Sequence, residues 1–362
     1  MDLKVLDEYA EKKLLRRADN GVLVQYNYTD YCNNNDGWDD ITLNNRGNVY
    51  EKKTGNLIAK SFPKFFNFEQ LSEDKQQWVL EHNDFMVTKK YDGCLGLIYK
   101  YQDEIYCNGR GSFVSHVTDT MYKLIKNYNF DNDILDKYTL VCEVISPETH
   151  IIVDYGDLEE LRLITAYDKN NWQEISYDDM VQLANILKMP YVEQVNMTLD
   201  ELFEQQKQGK AEQEEGFVLR YSDFDNFRVK IKDVDYMRIA KFKAHLNKRM
   251  IWKLLKEQYE QGKSGCLDEY MNNVPDELMS LAKIYLSEIE QAMNEEKGKV
   301  MALYNNIKDK SCKELGLYFN DNPSIYKGAI FSLKNDKPIE RFLIKLVEPP
   351  VEDITSRLDI IE

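Results

Sequence analysis

The sequence lacks the residues on which several classes of small or membrane-bound protein depend. Its six cysteines include no C-x-x-C pair, and its four histidines are not spaced like a zinc-ligand set. Neither a structural zinc nor a disulfide framework is therefore expected. No apolar run approaches the roughly 20 residues that span a bilayer, and Met1-Asp2-Leu3-Lys4 does not begin like a signal peptide. We expect a cytoplasmic protein with reduced thiols and no membrane partner.

Basic residues are outnumbered by acidic ones. There are 47 Lys and Arg against 63 Asp and Glu, which gives a formal net charge of −16. Such a charge opposes broad binding to nucleic acid, because affinity for phosphate backbones comes largely from cations. Several basic residues can nevertheless form a local cationic face: Lys89, Lys90, Arg110, Arg228, Lys230, Lys232, Arg238, Lys241, Lys243, Lys248 and Arg249. A patch of this kind suits recognition of a nucleic-acid end better than clamping of a long duplex.

The chain has 362 residues, enough for two domains with large cores. Residues 1–240 are predicted to mix a first helix, Leu6–Arg17, with recurrent short strands and two further helices, which indicates an α+β domain of antiparallel sheets with helices on their outer faces. The predicted strands are 22–28, 48–59, 85–89, 95–101, 104–108, 139–145, 162–168, 216–220 and 228–231. Residues 241–362 are predicted to form a separate all-α domain with helices at Ile251–Gln261 and Pro275–Leu303.

Lys90-Tyr91-Asp92-Gly93 has the spacing of a covalent nucleotidyl-transfer site, and an apolar run follows it. Lys89 is the rival nucleophile, but neighbours in a strand point to opposite faces, and the offset to Asp92-Gly93 selects Lys90. A lysine amine is a poor nucleophile at its ordinary pKa of about 10.4, so neighbouring groups must disfavour its ammonium form. We expect nearby cations downstream in the chain to supply that repulsion.

Three further elements place charged residues in or beside apolar strands. Glu143 interrupts Leu140–Ile145, where a carboxylate needs a partner or a solvent-filled pocket, unless it simply faces outward. Glu215 precedes Gly216 at the start of a strand, with Glu214 as the rival assignment. Lys230 and Lys232 alternate with apolar residues, so both side chains project to one side of their strand. An ordinary half-buried strand with one solvent-exposed face would show the same alternation.

In this order, these elements resemble the nucleophile and phosphate-binding motifs of the ATP-dependent ligase and capping-enzyme superfamily. Other segments narrow the resemblance to the RNA ligase 1 family typified by phage T4, over about residues 20–240. They are Tyr26-Asn27-Tyr28 with Tyr31, Arg46-Gly47, Lys64-Phe65-Phe66-Asn67, Ser146-Pro147 and Ile175-Ser176-Tyr177-Asp178-Asp179. The resemblance implies an antiparallel-sheet nucleotidyltransferase (adenylyltransferase) domain. Cys94 departs from it, because the family typically has a serine there.

The resemblance also implies the roles of site residues. Lys90 would attack the α-phosphorus of ATP to form a lysyl-AMP intermediate, while Lys230 and Lys232 contact the α-phosphate and repel the ammonium form of Lys90. Glu143 would accept hydrogen bonds from the ribose, and Asp92 and Glu215 would bind Mg²⁺ or Mn²⁺ directly or through water. Residues matching positions that grip the β- and γ-phosphates are Arg46, Lys64 and Arg110. Tyr167 would line the adenine pocket, with core packing as an equal alternative.

The resemblance finally implies an ATP-dependent RNA ligase of the EC 6.5.1.3 type, which joins 5′-phosphate and 3′-hydroxyl ends through lysyl-AMP and RNA-adenylate intermediates. The expected partner is RNA with single-stranded ends or a broken tRNA anticodon loop, handled by a monomer in RNA or tRNA repair, in a viral, phage or other cytosolic setting. Two alternatives stay open: a capping-like guanylyltransferase, and a catalytically silent RNA-binding module of the same fold. The predicted helical domain disfavours the first, because capping enzymes carry an OB-type barrel.

Overall fold

All strands of the described residues lie in the first two thirds of the chain. The computed structural model describes residues 2–29, 31–32, 35, 37–130, 132–149, 152–209, 214–263, 265, 267–271, 274 and 276–350. Its contacts divide the chain into two units, Met1–Met237 and Arg238–Glu362. The second unit is helical throughout its described elements, and the sheets of the first are antiparallel except for one short pairing. The predicted α+β class is thus confirmed, while the domain boundary at 240/241 stays a prediction.

The strands form three sheets. They are β1 (Leu15–Asp19), β2 (Leu23–Tyr28), β3 (Arg46–Glu51), β4 (Leu57–Ala59), β5 (Phe66–Asn67), β6 (Met86–Lys90), β7 (Cys94–Tyr101), β8 (Glu104–Gly109), β9 (Tyr138–Ile145), β10 (Glu160–Asp168), β11 (Gln194–Val195), β12 (Gly216–Tyr221) and β13 (Phe227–Lys232). The first sheet has the order β1-β2-β3-β4, the second β10-β9-β7-β8, and the third β11-β6-β12-β13-β5. Most predicted strands agree to within two residues, but the predicted run 48–59 is two paired strands, β3 and β4.

The helices follow the sheets in the first unit and make up the second. They are α1 (Leu3–Glu11), α2 (Asp40–Asn44), α3 (Glu73–Glu81), α4 (His116–Leu124), α5 (Asn132–Lys137), α6 (Tyr177–Leu187), α7 (Leu199–Gln206), α8 (Val234–His245), α9 (Lys248–Glu260), α10 (Asp268–Met271), α11 (Asp276–Ile307), α12 (Cys312–Asp321), α13 (Lys327–Lys334) and α14 (Glu340–Leu346). The predicted helix Leu6–Arg17 is wrong beyond Glu11. The chain turns at Lys13, which has a left-handed φ of 62°, and β1 then pairs with β2.

The third sheet sets the site through its register. Gly216 on the central strand β12 lies opposite Lys90 on β6 and opposite Lys232 on β13. Because side chains alternate across a strand, both lysines share one face of the sheet. The opposite face packs into a core with α3 and α7 through Val87, Phe217, Leu219, Val229 and Ile231.

Gly216 is required at this position by both its conformation and its surroundings. Its φ is +139°, which L side chains rarely adopt. A Cβ atom there would lie 2.2 Å from the carbonyl oxygen of Ile231 and 2.8 Å from the Cα of Lys232. The glycine therefore permits the close approach of the strand that carries Lys232.

The second unit is organised around α9, which packs against α11 and α14. Ile251, Trp252 and Leu255 form its buried face, and the Trp252 Nε1 donates a hydrogen bond to the Ile344 carbonyl at 2.7 Å. The helices predicted at Ile251–Gln261 and Pro275–Leu303 correspond to α9 and α11. No helix among the described residues has the length and apolar character to span a bilayer.

Candidate active site

A buried carboxylate lies between two lysines at the end of the third sheet. The Glu215 Oε2 accepts a hydrogen bond from the Lys90 Nζ at 2.6 Å, and its Oε1 accepts from the Lys232 Nζ at 3.0 Å. The side chains of Glu215 and Lys232 are each 3% exposed, and that of Lys90 is 18% exposed. The structure thus brings together three of the predicted catalytic residues, which are 125 and 17 positions apart in the sequence.

The charge state of Lys90 depends on the carboxylates beside it. Burial alone would lower its pKa, but the nearby carboxylates of Glu215 and Glu143 outweigh burial, so the pKa of Lys90 lies above its ordinary value. The predicted repulsion of its ammonium form by Lys230, Lys232 and a divalent cation stays a prediction, because among the side chains Glu215 has the larger effect. The physical reason is the direct ion pair with Glu215, which favours the charged amine. The same pairing with Lys90 and Lys232 overcomes burial and lowers the pKa of Glu215.

The two lysines of β13 have the opposite tendency. Burial, followed by the repulsion of Lys64 and Lys232, holds the pKa of Lys230 well below its usual range. The pKa of Lys232 is also lowered by burial, although Glu215 offsets part of this effect. The Lys230 ammonium lies 4.8 Å from the centroid of the Phe65 ring. Lys64 and Lys232 therefore lie close enough to Lys230 to repel its charged form at the third sheet.

Lys89 and Lys90 point to different faces of β6, as the alternation predicts. Lys89 is exposed, whereas Lys90 is half-buried and contacts Glu215. Glu214, the rival of Glu215, accepts a hydrogen bond from the Gln205 Nε2 at 2.5 Å. Both rivals thus lie outside the cluster that contains Lys90.

Asp92 is fully buried and holds two neighbouring segments. Its Oδ2 accepts hydrogen bonds from the backbone amides of Ile152 and Val153 at 2.5 and 2.7 Å, and its Oδ1 accepts from the Tyr236 hydroxyl at 2.9 Å. Its own amide donates to the Tyr155 hydroxyl at 2.9 Å. These contacts tie the nucleophile loop to the segment after β9 and to α8. Both carboxylate oxygens of Asp92 are therefore already engaged in hydrogen bonds within the protein.

Glu143 reaches the site from the second sheet. It lies opposite Leu95 on β7, and Gly93 allows this approach because a Cβ atom there would lie 3.0 Å from the Glu143 Cγ and 2.5 Å from the Val144 oxygen. Burial raises the pKa of Glu143 to about 7, although Lys90 acts in the opposite direction. This carboxyl group therefore binds a proton more readily than an exposed glutamate does.

A pocket opens between the second and third sheets. Residues of both sheets contribute to its lining. Its polar lining includes Lys90, Glu143, Arg46 and Lys230. Its apolar lining is formed by Phe62, Phe65, Met86, Leu95, Ile164, Val192 and Val218. Charged groups and apolar walls of this kind can accommodate a nucleotide with both a base and phosphates.

Arg46 carries donors that the protein does not use. Its Nε and Nη1 are buried and have no hydrogen-bond partner among the described residues, while its guanidinium lies 4.8 Å from the Phe62 ring centroid. Leaving such donors unpaired is costly for a folded protein. A phosphate group presents oxygen acceptors in the geometry that a guanidinium matches. Arg46 therefore fits an anionic ligand.

Lys64 and Arg110 converge on one aromatic residue. The Lys64 Nζ lies 4.9 Å from the Tyr28 ring centroid and 5.4 Å from that of Trp38. The Arg110 Nη1 donates a hydrogen bond to the Tyr28 hydroxyl at 2.7 Å. Tyr28 thus places two predicted phosphate-binding residues beside each other.

Tyr167 packs in a core beside the pocket. It is buried in a core with Leu23, Val49 and Tyr99, and its hydroxyl lies 3.3 Å from the Glu174 Oε2. It is absent from the pocket lining, to which β10 contributes Ile164. The adenine-pocket role of Tyr167 stays a prediction, since its core includes Phe62, Leu95 and Ile164, which do line the pocket.

Sequence reasoning missed a clamp on Tyr91, the variable residue of the nucleophile motif. The guanidinium of Arg162 lies 4.0 Å from the Tyr91 ring centroid, and its Nη1 donates to the Tyr91 hydroxyl at 3.1 Å. Tyr91 donates in turn to Glu193, which also accepts from Arg162 at 3.0 Å. No local signal reveals these partners, because they come from β10 and from the segment before β11.

A second group at the pocket contains Arg228, which the sequence placed in the local cationic face, together with Arg220 and Glu174, which the sequence did not indicate. Arg220 and Arg228 are directly opposite each other on β12 and β13, and both line the pocket. The Glu174 carboxylate, 2% exposed, pairs with Arg228 and lies 3.2 Å from the Arg220 Nη1. One buried acid between two facing arginines leaves this part of the pocket with an excess of positive charge.

The described residues do not form an all-protein metal cage, since no group of three His, Cys, Asp or Glu is arranged to hold an ion. Glu215 and Asp92 nevertheless supply oxygen atoms next to Lys90. Mg²⁺ typically keeps several waters and binds through one or two carboxylates plus substrate phosphates. The acids present therefore fit a hydrated cation shared with a nucleotide.

Residues 44–243, more than half of the chain, match the family model of RNA ligases of the T4 RNA ligase 1 type. The chain belongs to this RNA ligase family. Family membership makes it an ATP-dependent RNA ligase-type enzyme and favours this function over the capping-like alternative.

Two solved structures and one sequence relative resemble this family member at low identity. A candidate RNA ligase of Thermovibrio ammonificans is 24% identical over 291 residues, which cover 74% of this chain and 71% of that protein. A solved structure of a candidate ATP-dependent DNA ligase from Aquifex aeolicus has 22% identity and a TM-score of 0.49, covering 86% of this chain and 89% of that one. A mutant of Naegleria gruberi RNA ligase with ATP and Mn has 18% identity and a TM-score of 0.38, covering 49% and 57%. The family assignment rests on the family match.

Proposed function

We propose that the chain joins a 5′-phosphate and a 3′-hydroxyl end of RNA in three steps, of which the first consumes ATP. The Lys90 amine forms a bond to the α-phosphorus of ATP and pyrophosphate leaves. The AMP group then passes to the RNA 5′-phosphate, which frees Lys90. Finally the 3′-hydroxyl attacks the activated 5′-phosphorus and AMP leaves. The convergence of Lys90, Glu215 and Lys232 at the pocket carries this proposal.

Lys90 must lose its proton before it can attack. The ion pair with Glu215 favours its charged form, so the first step requires that this pairing is released or that the carboxylate charge is offset. Lys230 and Lys232 would then stabilise the negative charge on the α-phosphate. A bound Mg²⁺ or Mn²⁺, held by Glu215 and through water by Asp92, would polarise phosphate oxygens.

The remaining pocket residues would orient the nucleotide. Arg46 offers unused buried donors to the β- and γ-phosphates, and Lys64 and Arg110 are held next to each other by Tyr28. Glu143 would accept a hydrogen bond from a ribose hydroxyl. Either the ionised carboxylate or the carbonyl oxygen of the protonated carboxyl group can be the acceptor.

We further propose a role in RNA repair, with single-stranded ends or a broken tRNA anticodon loop as substrate, carried out by a monomer in the cytoplasm. Family membership supports an RNA substrate, and the local cationic groups suit an RNA end. The preferred RNA substrate can be identified by incubating the protein with 5′-phosphorylated linear, hairpin and nicked-loop RNAs and measuring which of them become joined.

The decisive experiment follows the covalent adduct. Incubation with metal and α-³²P-ATP should leave label on the protein, whereas γ-³²P-ATP should not, and unlabelled 5′-phosphorylated RNA should chase the label onto RNA. α-³²P-GTP provides the test of a guanylyltransferase. Absence of an ATP adduct in folded protein would overturn the proposed mechanism, and RNA binding without an adduct would support a silent binding module.

A further inference from the structure

A strongly basic, acid-free run begins just after the last predicted catalytic lysine. Residues 236–256 contain seven Lys or Arg and no Asp or Glu, in a chain whose net charge is −16. By contrast, the long helix α11 contains six Asp or Glu and three Lys. A charged helix surface usually mixes both signs, so this run is unusual for a simple solvated face.

The run forms α8 and α9. Its basic residues are exposed at Arg238, Lys241, His245 and Lys253 and half-buried at Lys243, Lys248, Arg249 and Lys256. On α8, Arg238, Lys241 and His245 are exposed and spaced by three and four residues, which places them on one face. On α9, Lys253 and Lys256 are also spaced by three, on the side away from the buried Ile251. We call Arg238, Lys241, Lys253 and Lys256 the basic helical surface.

Ion pairs within the protein neutralise only some of the basic residues in this run. Lys248 pairs with Glu288 at 2.9 Å, and Arg249 pairs with Glu348. Lys256 lies 4.9 Å from the Trp252 ring centroid. Lys241 and Lys253 make no ion pair with any residue that the structure describes. The charges of Lys241 and Lys253 are therefore available to a partner.

The partner that fits is a polyanion without an apolar part. Among the described residues, none of the exposed large hydrophobic side chains lies between 238 and 263, so the surface lacks the apolar anchor of a membrane-binding helix. We propose that the basic helical surface binds the phosphate backbone of the RNA substrate, an inference that rests on the proposed ligase function. Its contribution is to RNA affinity and not to the transfer of AMP.

The test compares three double variants of the full chain. Lys241→Gln with Lys253→Gln removes two charges, and Lys241→Arg with Lys253→Arg retains them. The matched control is Lys283→Gln with Lys313→Gln, which removes two exposed lysines from α11 and α12 of the same unit. Fluorescence anisotropy measures binding of a labelled 5′-phosphorylated single-stranded RNA between 50 and 200 mM salt. Self-adenylylation with α-³²P-ATP is measured without RNA.

The Gln pair should weaken RNA binding about 25-fold at 0.1 M salt and reduce the salt slope by about 1.4, because each phosphate contact to a single strand contributes about 0.7. The Arg pair and the control should bind like wild type, and all variants should form the adduct at the wild-type rate. Unchanged affinity and slope in the Gln pair, or an equal loss in the control, would overturn the proposal. So would binding to anionic phosphatidylserine vesicles that the Gln pair loses while RNA binding stays intact. Failure of adenylylation in wild type would instead count against the proposed function.

Discussion

Replacing Glu215 by Gln tests the charge balance at the centre of the site. The substitution removes the carboxylate between Lys90 and Lys232 and leaves two buried ammonium groups facing a neutral amide. Breaking one side of a buried ion pair typically costs 3–5 kcal/mol. Since Lys90 is partly exposed and can lose its proton, we expect the lower end, about 3 kcal/mol of unfolding free energy at pH 7.

The pH dependence gives this prediction its distinctive signature. In the wild type the pKa of Lys90 is raised, so its contribution is complete below the unfolded pKa of about 10.4 and is lost only above that range. In the variant burial lowers the pKa of Lys90, so the penalty shrinks by about 1.4 kcal/mol per pH unit between the folded pKa and 10.4. The difference between the two proteins should therefore be large at pH 7 and smaller at pH 9.5.

Urea unfolding followed by tryptophan fluorescence measures this difference. Trp38, Trp78 and Trp172 report on the first unit and Trp252 on the second, so the affected transition can be identified. Glu214→Gln is the matched control, because it removes the neighbouring carboxylate outside the cluster, and its cost should stay below about 0.5 kcal/mol. A pH-independent difference, or an equal loss in the control, would refute the reasoning.

Three further outcomes follow from the same contacts. Lys90→Ala should abolish the α-³²P-ATP adduct while Lys89→Ala retains it, and gel analysis showing the reverse would break the assigned register. Arg46→Met should raise the KM for ATP at least about tenfold while leaving or raising the melting temperature, because the folded protein leaves its buried donors unpaired; a large loss of thermal stability would contradict this. Arg162→Met should lower the rate of adduct formation at saturating ATP more than it changes KM, with partial recovery in Arg162→Lys, since the guanidinium acts through Tyr91; a change in KM alone would indicate a binding role.

Local patterns predicted the strands and the faces of the site well. Alternation within β6 separated Lys90 from Lys89, and alternation within β13 placed Lys230 and Lys232 together. These features depend only on neighbouring residues, which explains their success. The helix predicted through Arg17 failed because β1 gains backbone hydrogen bonds from β2, and this pairing overrides helical periodicity.

The parts that could not be predicted depend on pairing between distant segments. The ion pair that raises the pKa of Lys90 exists because β12 lies between β6 and β13. The clamp of Arg162 on Tyr91 similarly requires β10 to lie near the nucleophile loop. Neither arrangement leaves a periodic signal in the sequence. Tyr167 packs in a core that also contains pocket residues, so its residue type alone did not decide its role.

The charge distribution around the pocket argues that its occupant is polyanionic. Lys230 is surrounded by Lys64, Lys232, Arg46 and Lys90, and this crowding together with burial lowers its pKa strongly. Among the described residues, the carboxyl groups of Glu215, Glu143 and Asp92 oppose these cations. A triphosphate would supply acceptors to Arg46 and negative charge to Lys230, relieving both costs at once. The protein thus keeps its cations in an arrangement that is unfavourable alone and becomes favourable on binding, which is how a folded scaffold prepares a site for phosphoryl transfer.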